Sequence, residues 1–308
     1  MILQLDLVNA FNLCDRDSAF KVVEEFFPDI LKWVLTCYGT NAVLVFGNTI
    51  IMSECGFHQG DPLASLLFAL TLQPIIHRIV RVVPNLLANE WYLDDGVVAG
   101  KKEELQQVVD IVLEFGPARG LHLSTATTVP PPGKAKSTVW CPYSTNDQPD
   151  PLERGIPRVE EEGIILLGCP IGSHRFVTEA IKQRIDKLET ITDKLPLLKD
   201  PQVEYVLLKS CLSLRKIMYT LRTTDPTNHQ LCWQRCDDIT REAISRILGR
   251  PLDDSQWQQA NLPTALGGLG LGCARDIAPA AYATSVLTAQ DLKLSIIGRT
   301  EQDSPANI

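Results

Sequence analysis

Hydrophobic and polar positions change period several times along the chain, and the changes mark out its elements. Residues 1–8 alternate well enough for a buried strand that ends near Asp6. Residues 18–38 switch to helical spacing, with Phe20, Val23, Phe27, Ile30, Leu31 and Val34 able to share one face. Residues 42–53 are rich in β-forming side chains and are broken by Gly47-Asn48, a two-residue hairpin turn. Asp61-Pro62 offers an N-cap followed by proline at the first helical position, which opens a helix to about Val82. Residues 89–99 read as a second hairpin whose turn contains Asp94-Asp95-Gly96. An amphipathic helix over 102–115 stops at Gly116-Pro117, and 121–125 is a short strand.

This order of elements predicts an α+β fold, a sheet backed by helices on one face, over residues 1–127. Residues 128–162 break the pattern with Pro130-Pro131-Pro132-Gly133 and the acidic run Glu160-Glu161-Glu162, and are expected to be a loop. Strand character returns at 163–168, and from Ser173 the chain is mostly helical. Starts fall at Ser173 and Asp200-Pro201, with a stop at Gly249-Arg250-Pro251. A turn-rich break at 266–271 precedes a last helix around 278–294, so 251–308 forms a helical extension of the 163–250 region.

Composition narrows the class. With 308 residues, 45% of them hydrophobic and 21% charged, the chain suits one or two compact soluble domains. No apolar run reaches the roughly 18 residues of a membrane-spanning helix, so no membrane association is expected. No basic segment precedes an apolar one at the N-terminus, so no signal peptide is evident. Nine cysteines without paired spacing suit a reducing compartment and an intracellular protein, with nucleus and cytoplasm both open. Cys232 and Cys236 read as core or helix-face residues, since no second pair stands at zinc-like spacing. Net charge is −8, but residues 175–250 carry 14 Lys+Arg against 10 Asp+Glu, a mildly basic stretch that suits either a solvated face or a phosphate-facing one.

The candidate chemistry sits in three separated pieces: Leu5-Asp6-Leu7-Val8-Asn9-Ala10-Phe11, Gln59-Gly60-Asp61-Pro62-Leu63 and Trp91-Tyr92-Leu93-Asp94-Asp95-Gly96. Two-metal nucleotidyl transfer needs acidic oxygen ligands around cations ~3.5–4 Å apart, and hard Mg²⁺ needs only two or three carboxylates. Asp6 at a strand end and Asp94-Asp95 in a hairpin turn could supply them. Taken alone, an Asp-Asp pair also suits a turn for its own backbone hydrogen bonding.

In order and spacing the three pieces resemble the palm of reverse transcriptases, most closely those of non-LTR retrotransposons. The resemblance implies RNA-directed DNA polymerisation, with an RNA template, a DNA primer and deoxynucleoside triphosphates as partners. It implies that Asp6, Asp94 and Asp95 hold two Mg²⁺ ions, for which Mn²⁺ can substitute. Phe11 would be the steric gate for the sugar, a role compatible with a packed core ring. Gln59 and Gly60 would lie at the nucleotide and template, and Tyr92 belongs to the Tyr-x-Asp-Asp metal turn. At lower specificity, Gly120-Leu121-His122-Leu123 is similar to the segment after the palm's last helix. Residues 163–176 are similar to the strand pair that grips the primer, and the helices beyond to a thumb.

Two departures accompany the match. The fingers that precede the Asp6 motif in the family are missing, so the expectation is an N-terminally truncated domain. The family's lysine after the Gly120-Leu121-His122-Leu123 segment, which protonates the leaving pyrophosphate, is replaced by Ser124-Thr125-Ala126-Thr127-Thr128. Lys134 and Lys136 lie further on and read as solvated surface. An inactive remnant that acts as a nucleic-acid or protein scaffold is the competing expectation.

Overall fold

The computed structural model describes residues 1–127, 135–142, 152–159 and 162–295. They fall into two compact units, residues 1–160 and residues 161–295, and the fold class is α+β. The last residues of the expected C-terminal extension, 296–308, lie outside the described residues, as do the Pro130-Pro131-Pro132-Gly133 run and Lys134.

The first unit runs β1 (Ile2–Leu5), α1 (Ala10–Leu13), α2 (Arg16–Phe26), α3 (Pro28–Tyr38), β2 (Ala42–Phe46), β3 (Thr49–Ser53), α4 (Pro62–Val82), β4 (Ala88–Tyr92), β5 (Asp95–Ala99), α5 (Lys102–Phe115), β6 (Thr138–Trp140) and β7 (Arg158–Val159). Five strands form one sheet in the order β4-β5-β1-β6-β7, antiparallel except for the β6–β7 pair. Strand alternation sorts β1 by face: Leu3 and Leu5 are fully buried, while Gln4 and then Asp6 take the other side. The buried side meets Leu67, Phe68, Ile75 and Ile79 of α4 and Leu105, Val108 and Val112 of α5.

Three expectations are corrected here. The single helix expected over 18–38 is two, because Phe27 leaves helical backbone (φ −140°) and Pro28 restarts the helix with its missing N–H at an end. The loop expected over 128–162 contributes β6 and β7, strands of three and two residues too short to show a period of their own. Residues 121–125 form only an isolated bridge, Leu7 with Leu123. A fourth point concerns α4, whose 21 residues are long and apolar enough by composition to cross a membrane, contrary to the run-length reading. Core helices of soluble proteins meet the same criterion, and α4 buries Leu63, Leu67, Phe68, Leu72, Ile75 and Ile79 in the unit's core.

The second unit begins with the β8 (Gly163–Leu166) and β9 (Cys169–Gly172) hairpin. Its two turn residues, Leu167 and Gly168, both have positive φ, as a tight primed turn requires. Helices α6 (His174–Thr192), α7 (Pro201–Cys211), α8 (Ser213–Thr223), α9 (Gln230–Leu248), α10 (Asp254–Asn261) and α11 (Ala274–Thr288) follow. They pack round a second core in which Ile181, Ile185 and Leu188 of α6 meet Trp233 and Ile244 of α9. Cys232 and Cys236 are buried members of that core. The hairpin turn is tied down by Tyr219, whose hydroxyl donates to the Leu167 carbonyl at 2.6 Å, and by Arg184, which donates to the Gly168 carbonyl.

Candidate active site

Asp6 follows directly on β1, and its backbone is fixed on both sides. Its N–H donates to Ser137 Oγ at 3.0 Å, and its carbonyl accepts from Ser124 N at 2.8 Å. The β1–β5 register pairs Leu5 with Gly96, so one further antiparallel step sets Asp6 opposite Asp95. In the β4–β5 hairpin Tyr92 pairs with Asp95, leaving Leu93 and Asp94 as the two turn residues. The expected turn of Asp94-Asp95-Gly96 is therefore displaced toward the N-terminus. Leu93 takes the positive φ (55°) while its side chain packs on the core. Gly96 is needed elsewhere: a Cβ there would lie 2.7 Å from the Trp91 ring across the strand pair.

The carboxylates form one electrostatic group. Burial pushes the Asp6 carboxyl up, Lys136 opposes that, and the charges of Asp95 and Asp94 push it further up. Asp95 is likewise raised, by burial first and then by Asp94, with Lys136 again opposing. Lys136 Nζ stands 3.7 Å from Asp6 Oδ1, an ion pair too long to be a hydrogen bond. Asp6 Oδ1 is buried and has no hydrogen-bond partner.

Lys136 is solvated, as expected, with 73% of its side chain exposed, and its ammonium also reaches the carboxylate cluster. The cause is strand pairing. β6 lies antiparallel to β1 with Gln4 opposite Thr138, and two further steps set Lys136 opposite Asp6. The sequence carries no local signal of it, since three residues are too short to show a period.

The remaining candidates are placed by the connection between the first two motifs. The Phe11 carbonyl accepts from Phe57 N at 2.7 Å and the Cys14 carbonyl from Gly56 N at 2.8 Å. Arg16, buried, binds the same segment through the carbonyls of Gly56 (2.8 Å) and Ser53 (2.9 Å) and lies over the Tyr38 ring. Phe11 is half-buried and stacked on Phe68, with centroids 4.7 Å apart, so it is both packed and at the edge of the unit's core. Gln59 and Gly60 are exposed, and Gly60 adopts φ 93° with open space where a Cβ would point. Asp61 caps α4 at Leu63 N (2.9 Å) and accepts from the Tyr38 hydroxyl. That hydroxyl bond, then the Leu63 N–H, lowers the Asp61 carboxyl; burial, then the bond to Asp61, pushes the Tyr38 phenol up to about 12. Tyr92 is exposed, and neither it nor Gln59 or Gly60 is joined to the carboxylates by a hydrogen bond among the described residues.

Among the described residues no three His, Cys, Asp or Glu side chains converge as a ready-made metal cage. The donor set nevertheless fits a hard divalent cation. Asp6 presents a buried oxygen without a hydrogen-bond partner, two carboxyls are raised by burial and then by their neighbours' negative charge, and all the donors are oxygens. Mg²⁺ commonly takes only one or two carboxylates, completing its shell with water and substrate phosphates.

Fold and site together define an α+β unit with a carboxylate cluster where its central antiparallel strands end. Residues 1–129 match the family model of reverse transcriptase (RNA-dependent DNA polymerase), and this stretch holds all three carboxylates. The chain is 24% identical over 284 residues to the retrotransposable element SLACS 132 kDa protein of Trypanosoma brucei gambiense, covering 87% of this chain and 22% of that protein. It thus spans about a fifth of the length of that curated relative. Among solved structures, telomerase from Candida albicans, in complex with a fragment of telomeric RNA, gives a TM-score of 0.40 at 12% identity, over 100% of this chain and 51% of that one. Apo telomerase from Candida tropicalis gives 0.39 at 10% identity, over 97% and 52%.

Proposed function

We propose that this chain is the palm and thumb portion of a non-LTR retrotransposon reverse transcriptase, extending a DNA primer on an RNA template. The observation that carries the reading is the β1–β5 register, which makes neighbours of Asp6 and Asp95 with Asp94 in the adjoining turn. Asp6, Asp94 and Asp95 are the candidate ligands of two Mg²⁺ ions. When bound, the ions would supply charge neutralisation at the phosphates and a lowered pKa at the primer hydroxyl.

The chain's own residues do the rest. Phe11, braced by Phe68, offers a rigid ring against which a sugar can be sized. The exposed Gly60 lets a nucleotide or template approach the backbone, and Gln59 offers an amide there. Lys136, mostly exposed and beside the cluster, is placed to neutralise or protonate a leaving pyrophosphate. The mildly basic 175–250 stretch suits a duplex backbone.

The test is primer extension by the purified, folded chain on an RNA template with Mg²⁺ or Mn²⁺, beside Asp94→Asn. Extension lost in the variant supports the reading. Folded protein that extends nothing, with or without Mn²⁺, would favour a scaffold that keeps the fold without the chemistry.

A further inference from the structure

Away from the carboxylates, a groove of about 1120 Å³ runs between α2 and α4 and past the end of α5. Its lining comes from helices and the turn after α5, and none of it from the strands that carry Asp6 and Asp95. Its apolar lining combines the aliphatic Val22, Leu70 and Ile75 with the rings of Phe26, Phe27 and Phe115, of which Phe26 and Phe27 are exposed. The rim is cationic: Lys21, Arg78, Arg81 and Arg119 face a single acid, Glu25.

This concentration of charge runs against its surroundings. Residues 1–174 carry 12 Lys+Arg against 21 Asp+Glu, yet four of those cations line one groove. None of the four has an ion-pair partner among the described residues. Arg78 is held in place, its guanidinium 3.8 Å from the Phe115 ring centroid, and its Nε is buried without an acceptor. Stacking on the ring fixes this cation at the groove.

We propose that this groove docks an acidic amphipathic helix of a partner protein. Apolar side chains at i, i+3, i+4 and i+7 would enter the apolar lining while Asp and Glu on the flanks pair with Lys21, Arg78, Arg81 and Arg119. The charge complementarity selects an acidic partner. Val22, Leu70 and Ile75 suit the apolar side chains of a peptide, and RNA, whose bases could stack on Phe26, Phe27 or Phe115, is the competing occupant that the test separates.

The test uses the full chain and fluorescence anisotropy with a labelled synthetic amphipathic helix bearing Leu and Phe on one face and Glu on the other. Its controls are the same peptide with Lys for every Glu, and a single-stranded RNA oligonucleotide as competitor. The Glu peptide should bind at least ~10-fold more tightly than the Lys peptide and weaken with salt. Lys21→Glu and Arg81→Glu, both at exposed positions, should each weaken it about tenfold while circular dichroism stays unchanged. Equal binding of the two peptides would overturn the proposal, as would indifference to both substitutions. Displacement of the peptide by RNA, with RNA affinity lost in Arg81→Glu, would overturn it in favour of a nucleic-acid site.

Discussion

Gly96 is where the hairpin that carries Asp94 and Asp95 is most exposed to a one-atom change. It pairs with Leu5 on one side and Trp91 on the other, and Ala at this position would put its Cβ 2.7–2.8 Å from three atoms of the Trp91 ring. Carbon atoms rest at ~3.5 Å or more, so the ring must recede by ~0.8 Å. Such overpacking costs roughly 1–3 kcal/mol. The shift also strains the bond from Trp91 Nε1 to Asn89 Oδ1 (2.9 Å), a bond of the kind worth about 1 kcal/mol. Replacing a strand glycine returns about 0.5–1 kcal/mol of backbone entropy. The expected net destabilisation is therefore about 2 kcal/mol, or ~30-fold faster amide exchange through opening of β4–β5. Hydrogen exchange measured by mass spectrometry on peptides covering β4–β5 reads this directly, with α9 in the second unit as an unchanged internal control. Trp91→Leu in the Gly96→Ala background should destabilise less than the sum of the two single changes. Unchanged exchange in Gly96→Ala, or strict additivity with Trp91→Leu, would refute the steric argument.

Three further outcomes follow from the site. Because Asp6 and Asp95 are raised in the folded state, their contribution to metal-free stability is full below their unfolded pKa and is lost as pH rises through the folded values. Asp6→Asn should therefore raise the melting temperature of the metal-free chain at pH 7, and the gain should shrink toward pH 4; a gain independent of pH would contradict this. Lys136→Met removes the cation that opposes the rise of the Asp6 carboxyl, so that carboxyl should titrate at still higher pH by NMR. If Lys136 serves as the acid, single-turnover extension should fall ~10²–10⁴-fold. Arg16→Met strands the carbonyls of Gly56 and Ser53, and about 2–4 kcal/mol of local stability should be lost. Peptides covering 53–60 should then exchange faster, and unchanged protection there would rule out Arg16 as their anchor.

What the sequence reveals of this molecule depends on how local its causes are. The alternation of β1, the Asp61-Pro62 start of α4 and the amphipathic α5 are set within their own segments, and each stands where the pattern puts it. The break at Phe27-Pro28 was hidden because the apolar spacing of α2 carries on into α3, so periodicity alone reads through it. β6 and β7 exist through pairing with β1 and with each other, a non-local cause invisible in three- and two-residue strands. The place of Lys136 beside Asp6 was hidden for the same reason, since it is a consequence of β6 register. The hairpin turn slipped by about one residue because Asp94-Asp95-Gly96 is good turn chemistry, while Trp91 requires Gly96 within the strand. The neighbourhood of Asp6 and Asp95 was legible only through the three motifs taken together, because no local rule brings residues so far apart in sequence onto adjacent strands.

The central claim is that these carboxylates act together on a divalent cation, and Mn²⁺ titration of the folded chain followed by electron paramagnetic resonance tests it most directly. The account predicts saturable Mn²⁺ binding that Mg²⁺ competes away and that Asp6→Asn and Asp95→Asn each abolish or weaken at least ~10-fold. Mn²⁺ bound equally by the parent chain and both variants, or not bound at all by a folded parent chain, would contradict it.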